Sequence, residues 1–343
     1  MSNLTELQST MVQLSARGKG LLAADESIPT ITKRLQAIAI ESTEETRRAY
    51  RDLLFTTPKL SDYISGIILF EETLNQKTDG GILFPQFLQD NQIIPGIKVD
   101  KGLVPVSQKN VEQVTQGLDG LSDRLQHYKK QGAQFAKLRA VYSVGDQLPS
   151  EMVCTINATG LARYAQICQD NGIVPIVEPE VLIDGDHTIA QCERSSKLAF
   201  ESVFEMLNRY DVILECMILK PSMVIAGKKC SQKSSVEQVA KATVRILKET
   251  VPAAVQTINF LSGGQTPVQA TQHLNQMNQD ADLPWNLSFS YARALQEPCM
   301  SAWAGKIENK KIAQTVLHDR ARLNHFASIG QYNENMEKEL VVV

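Results

Sequence analysis

Short apolar runs alternate with longer amphipathic segments along nearly the whole chain. Eight runs stand out, at residues 20–25 (GLLAAD), 63–70 (YISGIILF), 94–100 (IPGIKVD), 135–141 (FAKLRAV), 173–180 (IVPIVEPE), 212–220 (VILECMILK), 257–262 (TINFLS) and 287–293 (LSFSYAR). Runs this short and this rich in aliphatic residues read as strands buried on both faces, the kind found in parallel sheets. Their spacing of roughly 30 to 45 residues leaves room for a strand, a helix and two loops per unit. Helix punctuation falls between them. Ser42 with Glu45 reads as a capping box before residues 47–54, and Thr266, Pro267 and Gln269 supply a cap, an N1 proline and a box before residues 268–277. Val111, Val114, Leu118, Leu121, Leu125 and Tyr128 form a helical stripe ending at Gly132, and the segment 161–171 stops at Gly172. Leu4, Leu7, Met11 and Leu14 repeat at helical spacing ahead of Gly18 and Gly20, which predicts an N-terminal helix acting as a lid or plug.

Eight strand–helix units predict an α/β chain folded as one (β/α)8 TIM barrel over residues 1–330, followed by a flexible C-terminal tail over residues 331–343. An open doubly wound sheet would show a glycine-rich phosphate fingerprint after its first strand. The chain reads LLAADESIPT there.

Composition adds mainly exclusions. Apolar content of 43% and charged content of 21% are those of a globular chain. A net charge of −3 without a long basic block leaves no basis for a nucleic-acid partner. No window approaches the roughly 18 apolar residues of a membrane span. Cys154, Cys168, Cys192, Cys216, Cys230 and Cys299 are scattered, with no C-x-x-C pair, and the first 20 residues lack the apolar core of a secretory signal. A reduced, cytoplasmic compartment is expected. His127, His187, His273, His318 and His325 never cluster in sequence, so no metal motif is expected.

Charged residues end almost every run: Asp25, Lys98 and Asp100, Lys137 and Arg139, Glu178 and Glu180, Lys220, Arg293. In a barrel of this type the site lies at the carboxyl ends of the strands, where these groups converge. The pairs K-x-D, K-x-R and E-x-E keep both members on one strand face. Ion pairs that merely plug the barrel mouth are the plain alternative. Pro221 biases Lys220 towards extended angles, so this lysine closes its strand at the rim. Burial there disfavours the ammonium and leaves the free amine that attacks a carbonyl carbon, unless the side chain snorkels to solvent. A second ammonium on Lys137 would act in the same direction, and Glu178 and Asp25 are the carboxylates available to move protons. Glu215 has the opposite parity and is expected to face the helices.

Ser262, Gly263 and Gly264 after the seventh strand, with Arg293 on the eighth, predict a phosphate site. Arg139, Lys98, Ser27, Lys33 and Arg34 are candidates for a second anion across the mouth. The residues alone lead to a lysine-dependent carbon–carbon lyase or isomerase acting on a phosphorylated carbonyl compound. A transaldolase-like barrel is a rival reading, and a barrel kept as a cytoskeletal or scaffolding partner is another.

The motifs LAADES (22–27), TEETRRAYRDLL (43–54), GIILFEETL (66–74), GIKVDKGLVP (96–105), GAQFAKLR (132–139), LARYAQICQDNGIVPIVEPE (161–180), DGDH (184–187), ILKPSM (218–223), FLSGGQ (260–265) and FSYARALQ (289–296) resemble those of class I fructose-bisphosphate aldolases over nearly the whole chain. The resemblance implies a metal-independent lyase without a cofactor. It splits fructose 1,6-bisphosphate reversibly into dihydroxyacetone phosphate and glyceraldehyde 3-phosphate, in glycolysis, gluconeogenesis or the Calvin cycle. It implies that Lys220 forms the Schiff base, that Glu178 transfers protons, and that Asp25 and Lys137 assist. By the same resemblance Arg139, Ser262, Gly263, Gly264, Ser290 and Arg293 bind substrate, with Ser27, Arg34 and Lys98 near the other phosphate. A homotetramer is implied as well, and a plastid location if a presequence has been removed. Ala292, KPSMV and YISGIILFEETL are similar to the plant and plastid branch. The family's terminal tyrosine has no counterpart in MEKELVVV, the last tyrosine being Tyr332. Ile28, Pro29 and Thr30 stand where animal enzymes have Thr-Gly-Ser.

Overall fold

All eight runs enter one closed barrel in the computed structural model, which describes residues 3–108, 111–279 and 282–340. The strands are β1 (Gly20–Ala24), β2 (Ile64–Leu69), β3 (Ile94–Lys98), β4 (Phe135–Tyr142), β5 (Val174–Val181), β6 (Ile218–Leu219), β7 (Thr257–Phe260) and β8 (Asn286–Tyr291). Each pairs in parallel with its sequence neighbours, and β8 closes on β1 through Leu21 opposite Ser290. Parallel pairing needs a crossover, and the intervening helices supply an outer layer that buries the outward strand face.

The inward face explains where the charges collect. Along β4 the inward positions run Phe135, Lys137, Arg139; along β5 they run Val174, Ile176, Glu178, Glu180. Apolar residues therefore fill the amino-terminal half of the barrel and charged ones its carboxyl rim. Leu21, Ala23, Ile68, Ile94, Phe135, Val174, Ile176 and Ile218 pack with Leu7, Met11 and Leu14 of the helix Asn3–Leu14 into one buried cluster. That helix plugs the end of the barrel opposite the charged rim. Gly96 makes room for Phe135 in this interior, because a β-carbon there would lie 2.2 Å from the ring, and Gly66 does the same for Leu14 of the plug at 2.9 Å.

Three local expectations are corrected. Of the run 212–220 only Ile218–Leu219 is strand, and Leu214–Cys216 is a 3-10 turn. The Gln169 side chain supplies the missing partners, accepting from the Ile213 amide at 2.9 Å and donating to the Ile213 and Cys216 carbonyls. Glu215 is exposed on that turn. The stripe 111–128 is helical only over Leu121–Lys130. Its first part folds into a hairpin, Leu103–Pro105 against Gln113–Thr115, and the left-handed Gly117 and Gly120 separate it from the helix. Val111 is exposed. The cap of the helix Glu44–Phe55 is Thr43, in a reciprocal box with Thr46, whereas Ser42 accepts a bond from Thr32 Oγ1. The Thr266 box with Gln269 stands as read, at the start of the helix Pro267–Asn278.

The stretch expected as a tail is described up to residue 340. It holds a short turn, Glu334–Glu339, tied to the helices Pro267–Asn278 and Lys310–Ser328. Arg320 grips both Glu337 oxygens, Tyr332 is buried and donates to Glu337 at 3.0 Å, and Gln272 donates to Glu334. Residues 341–343 lie outside the described residues. No helix among the described residues is long and apolar enough to cross a membrane.

Candidate active site

At the carboxyl rim a cleft of about 370 Å³ opens over the strand ends. Asp25, Ser27, Arg34, Lys98, Lys137, Arg139, Glu178, Lys220, Ser262, Gly263, Ser290 and Arg293 all line it. Gly264 sits just behind the lining, against the Arg293 guanidinium. Lys33 is exposed and is not part of the cleft wall, so the second anion group loses that member.

At the floor four ionisable groups are almost fully buried, with Lys220 and Glu178 at 3% and 4% exposure. Lys220 Nζ lies 3.1 Å from Glu178 Oε1, Lys137 Nζ lies 3.2 Å from Glu178 Oε2, and Lys137 also reaches Asp25 Oδ2 at 2.7 Å. The chain of alternating charge reads Lys220, Glu178, Lys137, Asp25. Two lysines thus compensate two carboxylates, the condition for burying any of them. Burial alone would raise the Asp25 carboxyl, but Lys137, Lys220 and Lys98 outweigh it and hold it well below its ordinary range. Glu178 behaves alike, burial being overcome by Lys137, Lys220 and Arg139. Burial would lower Lys137, yet Asp25, Glu178 and Asp100 raise it. Both carboxylates are ionised and Lys137 is charged at neutral pH.

The backbone explains why Lys220 stays in place. Its amide donates to the Val177 carbonyl at 2.8 Å, and the Leu261 amide donates to the Pro221 carbonyl at 3.0 Å. The second bond sets Ser262, Gly263 and Gly264 directly beside the lysine. Gly263 and Gly264 adopt φ of +51° and +79°, angles that strain any side chain. The Ser290 hydroxyl lines the same wall, buried without a hydrogen-bond partner among the described residues. An unpartnered buried hydroxyl is costly unless a ligand completes it. On the other side, Ser27 caps the helix Ile28–Gln36, whose first turn is formed by Ile28, Pro29 and Thr30. Arg139 pairs with Glu180 at 2.9 Å and Lys98 with Asp100 at 3.4 Å.

One residue was missed in the sequence. Glu26, between Asp25 and Ser27, is buried and accepts from Arg34, from Arg51 at 2.6 Å and from Gln296 Nε2 at 2.9 Å. Its parity is opposite to that of Asp25, which points it at the helix carrying Arg51. That alternation was the available signal. Replacing Glu26 with glutamine would leave the buried Arg51 without a carboxylate. A loss of about 3 kcal/mol is expected, seen as a Tm lower by several degrees; an unchanged Tm would show that the cluster adds no stability.

A closed parallel barrel holds a buried lysine–carboxylate chain beneath a cleft rimmed by lysines and arginines, a site suited to a phosphorylated carbonyl compound. The family model of class-I fructose-bisphosphate aldolase matches residues 6–341. A probable class 1 fructose-bisphosphate aldolase of Xanthomonas campestris is 51% identical over 96% of this chain and 99% of its own length. The cytosolic fructose-bisphosphate aldolase 4 of Arabidopsis thaliana and the aldolase B of Mus musculus are each 50% identical, over 95% of this chain and 84% and 90% of theirs. Among solved structures, the aldolase of Plasmodium falciparum in complex with TRAP and a small-molecule inhibitor superposes with a TM-score of 0.95. It is 47% identical and 96% of each chain is covered. The chain belongs to the class I fructose-bisphosphate aldolase family, the metal-independent lyases.

Proposed function

We propose that Lys220 is the Schiff-base residue of this aldolase and that Glu178, Asp25 and Lys137 manage its protons. The observation that carries the reading is the buried contact of Lys220 Nζ with Glu178 at 3.1 Å, inside a chain that alternates in charge as far as Asp25.

Glu178 first takes a proton from the Lys220 ammonium that it contacts, and the freed nitrogen attacks the C2 carbonyl of fructose 1,6-bisphosphate to form a carbinolamine. Loss of water, with a proton delivered through Glu178, then gives an iminium. The iminium is the electron sink. A carboxylate of the cluster removes the C4 hydroxyl proton, the C3–C4 bond breaks, and its electron pair moves into the iminium to leave an enamine. Glyceraldehyde 3-phosphate departs first. Protonation of the enamine at C3 and hydrolysis release dihydroxyacetone phosphate and restore Lys220. Lys137 stays charged through these steps and holds Asp25 ionised while Glu178 carries the shuttled proton.

Because C1 neighbours C2, the C1 phosphate belongs on the wall nearest Lys220, with Ser262, Gly263, Gly264, Ser290 and Arg293. The C6 phosphate is then received by Ser27, Arg34, Lys98 and Arg139. Family resemblance extends the proposal to a homotetramer and to residence in the cytoplasm, or in a plastid if a presequence has been removed. A protein partner has one support, the Plasmodium falciparum relative solved with TRAP. Cosedimentation with filaments tests the cytoskeletal form of it.

The test is reduction with borohydride in the presence of dihydroxyacetone phosphate. Mass spectrometry is expected to find one adduct per chain, on the peptide containing Lys220. A label elsewhere, or none, would remove the reading.

A further inference from the structure

The wall proposed for the C1 phosphate has a cationic neighbour, Lys228. A β-carbon placed on Gly264 would lie 3.2 Å from Arg293 Nη2 and also 3.0 Å from Lys228 Nζ. The two cations are therefore no more than about 6 Å apart, both on the side of Gly264 that a β-carbon would occupy. Neither is paired with a buried carboxylate among the described residues. Arg293 has no ion-pair or hydrogen-bond partner among the described residues, and the Lys228 ammonium has one carboxylate, Asp184 at 3.6 Å, whose own side chain is 75% exposed. Two like charges held this close beside a glycine turn gain from an anion placed between them.

The position of Lys228 is built into the backbone. Residues 227–229 run alongside residues 183–187: the Gly227 amide donates to the His187 carbonyl at 2.8 Å, Lys228 to Ile183 at 2.9 Å and Lys229 to Gly185 at 2.8 Å. Gly227 permits the approach, since a β-carbon there would meet the Gly185 carbonyl oxygen at 2.5 Å. The Lys228 carbonyl is held in turn by Lys233 Nζ at 2.8 Å. An exposed lysine on a pinned backbone loses less freedom on binding than one on a loose loop.

We propose that Lys228 is a further phosphate-binding residue, giving the anion subsite beside Lys220 a second cation next to Arg293. The proposal rests on the Schiff-base reading, which places the C1 phosphate on this wall. It adds a residue that favours a doubly charged phosphate over a singly charged group, because two cations flank the oxygens instead of one.

The experiment is borohydride trapping at graded dihydroxyacetone phosphate concentrations, with the native chain, Lys228→Met, Lys228→Arg and Asp184→Asn side by side. Dihydroxyacetone phosphate carries only the phosphate that this subsite would hold. The half-saturating concentration is expected to rise about tenfold in Lys228→Met, the usual worth of a charged hydrogen bond discounted for exposure. Maximal labelling stays unchanged. Lys228→Arg should restore most of the affinity, and added salt should weaken the native chain more than Lys228→Met. Asp184→Asn, which releases the lysine from its carboxylate, should bind as tightly as the native chain or more tightly. Equal half-saturation in the native chain and Lys228→Met would overturn the proposal and leave Lys228 as the surface partner of Asp184. A native chain without any label would overturn the Schiff-base reading itself, and this proposal with it.

Discussion

Lys220→Met is expected to fold like the native chain and to lose turnover by at least about four orders of magnitude, which is more than 5 kcal/mol of transition-state stabilisation. Methionine keeps the length and the apolar stem of the lysine, so the buried space remains filled. What disappears is the electron sink. Without an iminium, breaking the C3–C4 bond would place a carbanion next to an ordinary ketone. Lys137 is the nearest alternative amine, yet Asp25 and Glu178 hold it as a charged ammonium, unfit for attack. Borohydride should then trap nothing. The variant also leaves Glu178 and Asp25 sharing one lysine, so a modest fall in Tm accompanies the loss. Turnover within tenfold of native, measured in a coupled assay for triose phosphate, would refute the assignment.

The barrel was legible because its strands are buried on both faces, a condition that writes itself as short apolar runs without alternation. Where a run failed, another part of the chain had supplied what a strand supplies. Ile213 and Cys216 find their hydrogen-bond partners on the Gln169 side chain, and so do not need neighbours in the sheet. Val111 and Val114 keep helical spacing, but the turn at Gly117 and Gly120 sends them into a hairpin. Period alone does not see a chain reversal.

The floor of the site was legible for a related reason. Spacing of two fixes a common face, and K-x-R beside E-x-E on adjacent strands then brings Lys137 and Glu178 together without any knowledge of loops. Glu26 and Lys228 escaped because their contacts depend on other elements. Glu26 meets an arginine of a helix and Lys228 rides a loop that pairs with residues 183–187. Strand parity carries no record of either meeting. Arg293 was legible because barrels bind phosphate in the loops after the seventh and eighth strands, whereas Ser290 was reached only through motif resemblance.

Lys137→Met separates the roles of charge and covalency, and its effect should be second in size only to that of Lys220→Met. In the native chain Lys137 touches both carboxylates, and removing it leaves two buried anions facing a single cation. Turnover is expected to fall by a hundredfold or more, the scale of a lost proton-transfer group, while borohydride still labels Lys220 at a reduced rate. Stability should fall by about 3 to 5 kcal/mol near neutral pH, the usual cost of stranding a buried charge. The pH dependence carries the sign. Asp25 and Glu178 have depressed values in the folded state, so their contribution is present above the unfolded carboxylate range of about 4 and is lost as the pH falls through the folded values. Lys137 is raised when folded, so its contribution is complete below about 10.4 and persists throughout this window. In the variant only Lys220, Lys98 and Arg139 oppose burial, so the carboxylates move upward, the folded state takes up protons more readily and the penalty fades on acidification. The Tm gap between variant and native should therefore be widest near neutral pH and should narrow towards about pH 4. A gap that stays constant over that range would mean that Lys137 contributes packing alone, and the proton-managing role assigned to it would have to be given up.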